Sequence, residues 1–218
     1  MVISKRVLDV VVAVIVLAVV SPLLVVIAVR IKREDGGPIL YRGARVGRFG
    51  RAFGMFKFRT MVPNADKIGG PSTPEDDPRI TGVGRWLRKY KLDELPQLIN
   101  VLKGDMSLVG PRPEVRQYVD LFADEERAIL SVRPGITDWA SLWNPEEGAL
   151  LAASLDPEKV YLEKIRPEKI RLQLAYVRRR SFTTDVSILW QTAKLVLGRR
   201  SRPMATTAMN SSGTPREA

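Results

Sequence analysis

Residues 10–29 read VVVAVIVLAVVSPLLVVIAV, an uncharged stretch that decides how the rest of the chain is organised. At about 1.5 Å per residue, a helix of this length just crosses a hydrocarbon layer of about 30 Å. Ser21 and Pro22 interrupt the run near its middle. Because proline lacks a backbone N–H and clashes with the preceding turn, the helix should bend there, and the Ser21 hydroxyl can bond a freed carbonyl. The stretch therefore predicts a membrane helix that breaks at its centre.

Basic residues flank the apolar run on both sides, at Lys5, Arg6, Arg30, Lys32 and Arg33. A spanning helix concentrates positive charge on one side of the membrane, whereas a helix that enters and leaves through one leaflet keeps both ends cytoplasmic. We therefore favour a re-entrant, monotopic helix-break-helix hairpin over residues 1–34. A spanning helix with a proline kink and an uncleaved signal anchor are the alternatives.

Composition excludes several kinds of chemistry. The chain has 218 residues with 35 Lys plus Arg against 24 Asp plus Glu, a net charge of +11, and it contains no Cys and no His. Disulfides, thiolate nucleophiles, cysteine-ligated metals and serine–histidine hydrolases are therefore excluded. Catalysis would have to use carboxylates, amines, hydroxyls or an oxygen-ligated cation such as Mg²⁺. The positive charge favours an anionic partner: nucleic acid, anionic lipid or a phosphorylated substrate.

Beyond the hairpin, the pattern predicts a mainly α protein with few short strands. Residues 35–200 would form an α/β domain, and residues 201–218, which are small, polar and aperiodic, a disordered tail. A short strand is expected at 39–41, and a mobile connection at 63–79. The helical candidates are 114–131, 157–165, 167–181 and 185–197.

A basic stretch follows the first strand and is expected to be rich in loops. Its arginines recur every three residues among glycines, a composition that lets the backbone approach phosphate oxygens closely. A solvated basic face or a patch on anionic lipid would have the same composition. The four arginines are Arg42, Arg45, Arg48 and Arg51.

Two adjacent carboxylates, Asp93 and Glu94, precede a run of leucines at helical spacing that Gly104 should end. Pro96 suits the first turn of that helix. Carboxylates at a helix start are usually caps that favour the helix dipole. Here they lie between two arginine-rich loops in a chain without histidine, a setting that also suits chemistry at phosphate.

Five ordered motifs carry a resemblance to a known family. They are KFRTM at 57–61, DPRIT at 77–81, LDELPQ at 92–97, KGDMSLVGPRP at 103–113 and RPGIT at 133–137. Together they resemble the bacterial sugar transferases, specifically the small monotopic polyprenyl-phosphate phosphoglycosyl transferases. The resemblance runs from Lys5 to about Leu197.

The resemblance implies an enzyme of the bacterial inner membrane, acting at its cytoplasmic face, with residues 35–200 as a cytosolic, interface-associated α/β catalytic domain. It would move a sugar-1-phosphate from a UDP-sugar to undecaprenyl phosphate and release UMP, the first membrane step of glycoconjugate or polysaccharide biosynthesis. By the same resemblance Asp93 is the nucleophile that forms an acyl-phosphate-linked sugar, Glu94 is its catalytic partner, Mg²⁺ lies near Asp93, and Ser21-Pro22 is the helix break. Substrate phosphates would contact Lys57, Arg59, Arg88 and Arg112.

The implied partners are the UDP-sugar donor, the polyprenyl phosphate acceptor and membrane lipids. No nucleic-acid-binding signature is present, and a homodimer is compatible with the sequence. Asp138 departs from the family pattern, in which Gly often follows RPGIT, so the donor sugar stays open. We expect this chain to be the minimal catalytic form. The alternatives are a membrane-anchored adaptor that binds anionic lipid without chemistry and a glycosyltransferase that moves the sugar alone and releases UDP.

Overall fold

The computed structural model describes residues 2–65, 68, 77–152, 154 and 156–199. These residues form a mostly helical protein with few short strands, as predicted. The helices are α1 (Val2–Asp35), α2 (Gly82–Lys89), α3 (Gln97–Lys103), α4 (Arg116–Val119), α5 (Trp139–Trp143), α6 (Glu147–Ala152), α7 (Pro157–Val160), α8 (Arg166–Arg179) and α9 (Phe182–Arg199). The strands are β1 (Leu40–Val46), β2 (Ala52–Phe58), β3 (Ser107–Val109) and β4 (Gly135–Thr137).

Helix α1 contains the apolar run and continues through Pro22. Pro22 cannot donate to the carbonyl of Ala18, four residues earlier, but the Ser21 hydroxyl donates to that oxygen at 2.8 Å. The expected break therefore does not divide the segment into two helices, because the side chain before the proline replaces the missing bond. Among the described residues α1 is also the one helix that is long and apolar enough to cross a membrane.

One face of α1 packs along the rest of the protein. Ala13 joins a cluster with Leu98 and Val101 of α3, and Ile27 and Ile31 join a second cluster with Phe58 and Leu87. The opposite face exposes a row of apolar side chains to the surroundings. This row consists of Val7, Val11, Val14, Ile15, Val19, Val25, Val26 and Val29.

Polar contacts attach both ends of α1 to the same body. Near its start, Asp9 is 3% exposed and accepts hydrogen bonds from the Ser107 hydroxyl at 2.8 Å and the Leu108 N–H at 3.1 Å. Near its end, Glu34 accepts from the Val83 N–H at 3.1 Å, and Asp35 pairs with Arg59. Both ends of the helix therefore contact the same folded body, the start at β3 and the end at α2 and Arg59.

The basic stretch after the first strand is a β-hairpin, which corrects the expectation of loops. Strands β1 and β2 pair antiparallel, with Tyr41 opposite Lys57 and Arg45 opposite Phe53. A short 3₁₀ turn at Arg48–Gly50 connects them. Arginine and glycine hid the strand pattern, because neither is typical of strands.

A short parallel pair brings distant motifs together. Strand β3 pairs with β4 in the register Ser107 to Gly135, and the Gly110 N–H donates to the Thr137 carbonyl at 3.1 Å. At Gly110 and Gly135 the backbones approach so closely that a Cβ on either would collide with the other segment. The RPGIT motif thus supports the start of the loop that carries Arg112.

Several C-terminal predictions need correction. In the predicted helix 114–131 only α4 and a 3₁₀ turn at Glu126–Ser131 form, because the chain turns twice there. The predicted helix 157–165 is α7 followed by a π-type turn that leads into α8. The helix predicted at 185–197 extends over the whole of α9. The tail predicted at 201–218 and most of the connection predicted at 63–79 lie outside the described residues.

Candidate active site

The two adjacent carboxylates lie in a 3₁₀ turn, Leu92–Glu94, between α2 and α3. The turn begins after Lys91, which has a left-handed backbone with φ of 54°, an uncommon conformation for a side chain with a Cβ. Helix α3 starts three residues after Glu94 and ends at Gly104, whose φ is 88°. The predicted end of this helix is confirmed, whereas the carboxylates precede its start rather than cap it.

Glu94 is held by two cations from different segments. Strand β2 supplies Lys57, whose Nζ lies 2.9 Å from Glu94 Oε1. The loop after β3 supplies Arg112, whose Nη1 donates to Oε2 at 3.1 Å while Nη2 bonds Oε1. Burial alone would raise the pKa of Glu94, but Arg112 and Lys57 hold it well below its usual range. Glu94 therefore stays ionised and fixed in place.

Asp93, unlike Glu94, is not held by close hydrogen bonds from the described residues. Asp93 is only 7% exposed, and no described residue donates a hydrogen bond to its carboxylate. Lys57 Nζ forms its ion pair, at 3.8 Å from Oδ2. Burial raises the pKa of Asp93, Lys57 opposes the rise, and the neighbouring Glu94 adds to it. A carboxylate with free lone pairs and weak stabilisation of its charge is suited to act as a nucleophile.

Two further predicted phosphate contacts have different surroundings. Arg88 of α2 donates from Nε to the Thr60 hydroxyl at 3.0 Å. Burial lowers the pKa of Arg88, and the negative charge of Asp93 opposes that shift. Arg88 is therefore close enough to interact electrostatically with Asp93. Arg59 instead pairs with Asp35 at the end of α1, and its Nε and Nη1 have no hydrogen-bond partner among the described residues. The structure places Lys57, Arg88 and Arg112 around the dyad and pairs Arg59 with the end of α1.

Asp138, which directly follows the RPGIT motif, supports the arginine loop. It is fully buried and accepts the Arg112 backbone N–H at 3.2 Å. Its other oxygen accepts from the N–H and the hydroxyl of Ser141, both at 2.7 Å, so it also caps α5. Sequence reasoning flagged this residue as unusual but could not assign it this contact, which joins positions 26 residues apart.

A buried ionic cluster beside the site was also missed. Lys169 of α8 lies 2.8 Å from Glu114 and 3.4 Å from Glu147, and the Tyr161 hydroxyl donates to Glu114 at 3.2 Å. These partners satisfy one another, and Glu114 follows Arg112 by two residues. No motif marks the cluster, because its members come from four separate segments.

The donor set can be tested for Mg²⁺. No group of three or more Asp, Glu, His or Cys residues suited to a metal occurs in the described part of the chain. Mg²⁺ commonly binds through one or two carboxylates together with substrate phosphates and water. Asp93 fits such a shared site, because its oxygens accept no hydrogen bond from the described residues, whereas the oxygens of Glu94 are already engaged.

The comparisons with known proteins agree with the motifs. Residues 1–199 match the family described as Bacterial sugar transferase. An N-acetylgalactosaminephosphotransferase of Aeromonas hydrophila, named for UDP-N-acetylgalactosamine and undecaprenyl phosphate, is 39% identical over 196 residues, which are 88% of this chain and 43% of that protein. An undecaprenyl-phosphate galactose phosphotransferase of Salmonella typhimurium is 38% identical over 213 residues, 89% of this chain and 40% of that protein.

A shorter relative matches nearly end to end. The uncharacterized sugar transferase EpsL of Bacillus subtilis is 35% identical over 195 residues, 89% of this chain and 88% of that protein. The chain spans about two-fifths of the length of the two phosphotransferases above. Because the family match extends over nearly the whole chain and EpsL is similar along its length, this protein belongs to the bacterial sugar transferase family.

Proposed function

We propose that this protein transfers a sugar-1-phosphate from a UDP-sugar to a polyprenyl phosphate such as undecaprenyl phosphate and releases UMP. The observation that carries the proposal is the asymmetric dyad: Asp93 accepts no hydrogen bond from the described residues, while Glu94 is locked by Lys57 and Arg112. Relatives named as undecaprenyl-phosphate sugar phosphotransferases support the same reaction class. A lipid acceptor also suits the exposed apolar face of α1.

The mechanism proceeds in two displacements at one phosphorus atom. A carboxylate oxygen of Asp93 attacks the β-phosphorus of the donor, the bond to the bridging oxygen breaks, and UMP leaves with that oxygen and its electron pair. Asp93 then carries the phospho-sugar as an acyl phosphate. An oxygen of the lipid phosphate attacks the same phosphorus, and Asp93 leaves as a carboxylate. No proton has to be removed from either nucleophile, which suits a chain without histidine.

The residues around Asp93 would neutralise the charge of the substrate phosphates and orient one another. Lys57, Arg88 and Arg112 would offset the negative charge of the phosphoryl oxygens, and ionised Glu94 would keep Lys57 and Arg112 in position. When bound by Asp93 and the donor phosphates, Mg²⁺ would add further charge neutralisation. Burial of the dyad excludes water, which limits hydrolysis of the acyl phosphate.

We also propose that the protein is monotopic at the cytoplasmic face of the bacterial inner membrane. Both ends of α1 bond to the same folded body, through Asp9 at the start and Asp35 at the end. A helix that crossed the bilayer would carry its ends to opposite sides. The exposed apolar side chains of α1 would face lipid along one leaflet.

The nucleotide product tests the reaction. Purified protein is incubated with Mg²⁺, a short polyprenyl phosphate and, in turn, UDP-N-acetylgalactosamine, UDP-galactose and UDP-glucose, and the released nucleotide is identified by chromatography. The proposal expects UMP in the presence of at least one donor. Release of UDP would favour a transferase that moves the sugar alone, and release of neither from any donor would favour a non-catalytic adaptor.

A further inference from the structure

The four regularly spaced arginines of the hairpin separate into different surroundings. Arg42 stacks over Phe56, with its Cζ 4.9 Å from the ring centroid. Arg48 donates from Nε to the Ser131 carbonyl at 2.9 Å. Arg51 is exposed beside the turn. Arg45 is the remaining member, and its environment differs from all three.

Arg45 lies on the same face of the hairpin as Lys57. Side chains alternate along a strand, and directly opposed residues of an antiparallel pair project to one side. Because Tyr41 is opposite Lys57, Arg45, four residues after Tyr41, shares the face of Lys57. The guanidinium bends back over Gly43, where an added Cβ would lie 3.4 Å from Arg45 Nη1. It therefore points along the strand towards the end that carries Lys57.

The backbone connects the strand of Arg45 to the active-site loop. The end of β1 is joined to the loop after Arg112, because the Val46 N–H donates to the Glu114 carbonyl at 2.9 Å. Burial lowers the pKa of Arg45, and Glu114, Arg112 and Glu94 are among the charged groups close enough to influence it. Arg45 is thus a neighbour of the cations that hold the dyad.

Arg45 nevertheless lacks an ionic partner. Its side chain is half-buried, and among the described residues its Nη1 donates to the Ala44 carbonyl at 2.8 Å and no carboxylate lies within 4.0 Å. A guanidinium carries five N–H donors, and its planar fork matches the oxygens of a phosphate. Partial burial of a cation without an anion is unfavourable, and a bound anion would remove that cost.

We propose that Arg45 binds a phosphate group of a substrate beside Asp93. The inference rests on the proposed function, since it assigns Arg45 to the same site, and it adds a phosphate ligand from β1 to those from β2, α2 and the Arg112 loop. The phosphate belongs either to the diphosphate of the nucleotide donor or to the phosphate of the lipid acceptor. The chemistry of recognition is the same in both cases.

The test compares Arg45→Gln with Arg42→Gln, a control on the same strand but the opposite face. For the full chain in detergent, KM is measured for the UDP-sugar and for a short polyprenyl phosphate, and binding of UDP and of that lipid phosphate is measured separately without turnover. Loss of a charge-assisted bond should weaken one ligand about tenfold to a hundredfold. Arg42→Gln should stay within about twofold of the parent, and Arg45→Lys should recover part of the loss.

The outcomes assign or overturn the role. Weaker binding of UDP by Arg45→Gln assigns the donor phosphates, and weaker binding of the lipid phosphate alone assigns the acceptor. Parent-like binding of both ligands overturns the inference. A lower Tm with equal losses for both ligands also overturns it, because Arg45 would then be structural. If the parent binds UDP but releases no UMP, the proposed function fails while the binding comparison still decides the role of Arg45.

Discussion

Asp93 and Glu94 are neighbours in sequence, yet the folded protein shifts their pKa values in opposite directions. The pKa of Asp93 is raised by burial, so folding disfavours its ionised form. The pKa of Glu94 is held down despite burial because Arg112 and Lys57 bind the ionised form. The negative charge of Asp93 is therefore only weakly stabilised, whereas the ionised form of Glu94 is stabilised by its ion pairs with Arg112 and Lys57.

This difference predicts opposite effects of neutral substitutions on stability. At pH 7 both groups are ionised in the unfolded chain, so an acid whose folded pKa is raised lowers stability, and one whose folded pKa is depressed adds to it. Asp93→Asn should therefore leave Tm unchanged or higher. Glu94→Gln should lower the free energy of unfolding by about 2 kcal/mol, because the half-buried cations Arg112 and Lys57 then lose their charge-assisted bonds to the carboxylate.

Thermal unfolding of the two variants beside the parent, in the same detergent at pH 7, checks this prediction. The two substitutions are a matched pair, since each replaces a carboxylate by an amide of nearly equal size in the same turn. A clear drop in Tm for Asp93→Asn, equal to that of Glu94→Gln, would mean that Asp93 serves the fold rather than the chemistry.

Replacing Arg112 should change the pH dependence of turnover. Glu94 contributes its stabilising charge above its ordinary pKa and loses it only as the pH falls through its depressed folded value. In Arg112→Gln, Lys57 remains to oppose the upward effect of burial on the pKa of Glu94, so that pKa should rise. The acid limb of the profile of kcat/KM against pH should move to higher pH, together with an overall loss of about tenfold to a hundredfold. An unmoved acid limb would contradict the expectation that ionisation of Glu94 comes to limit turnover when Arg112 is removed.

Sequence reasoning found the residues that belong to contiguous motifs and missed those placed by long-range pairing. Lys57, Asp93, Glu94 and Arg112 all come from short motifs, and the structure brings them together. The orientation of Arg45 depends on the register of a hairpin that Arg and Gly concealed.

At the scale of elements, α1 packs on the same folded body that carries Asp93 and Glu94. Its start bonds β3, directly before the loop of Arg112, and its end bonds Arg59, two residues after Lys57. The apolar run predicted the helix itself. The packing face was not predictable, because an almost uniformly apolar segment has no polar side to reveal its orientation.

The contacts at both ends of α1 predict that its two ends lie on one side of the membrane. The chain contains no Cys, so single cysteines introduced as Ser4→Cys and Arg33→Cys, both at exposed positions, can be labelled without background. An impermeant thiol reagent should label neither in intact cells and both after the cytoplasmic face is opened. Labelling of one position but not the other in intact cells would establish a spanning helix instead.

At the scale of the whole molecule, protein and substrate should complete the metal site together. Of the two described dyad carboxylates only Asp93 has oxygens that accept no hydrogen bond, so a bound Mg²⁺ would need the donor phosphates as further ligands. Mg²⁺ by itself should leave Tm nearly unchanged, UDP should raise it slightly, and the two together should raise it by more than the sum. Asp93→Asn should lose the extra increment. A large shift with Mg²⁺ alone would indicate a complete protein site elsewhere.

The fold class was predictable for the whole molecule, because most of the chain carries helical periodicity and strand signals are few. The parallel pair of β3 with β4 was not, because each strand has three residues and their partners lie 28 positions apart. Only the assembled chain shows that the RPGIT motif and Asp138 support the Arg112 loop from behind.

The central claim is that Asp93 becomes covalently attached to the phospho-sugar. Purified protein is incubated with Mg²⁺ and a UDP-sugar without lipid acceptor, quenched in denaturant and weighed by mass spectrometry. The parent should gain the mass of one sugar phosphate, located on Asp93 by peptide mapping, and the adduct should disappear when polyprenyl phosphate is added. Folded Asp93→Asn should gain none and release no UMP. Turnover of Asp93→Asn at near the parent rate would contradict the account.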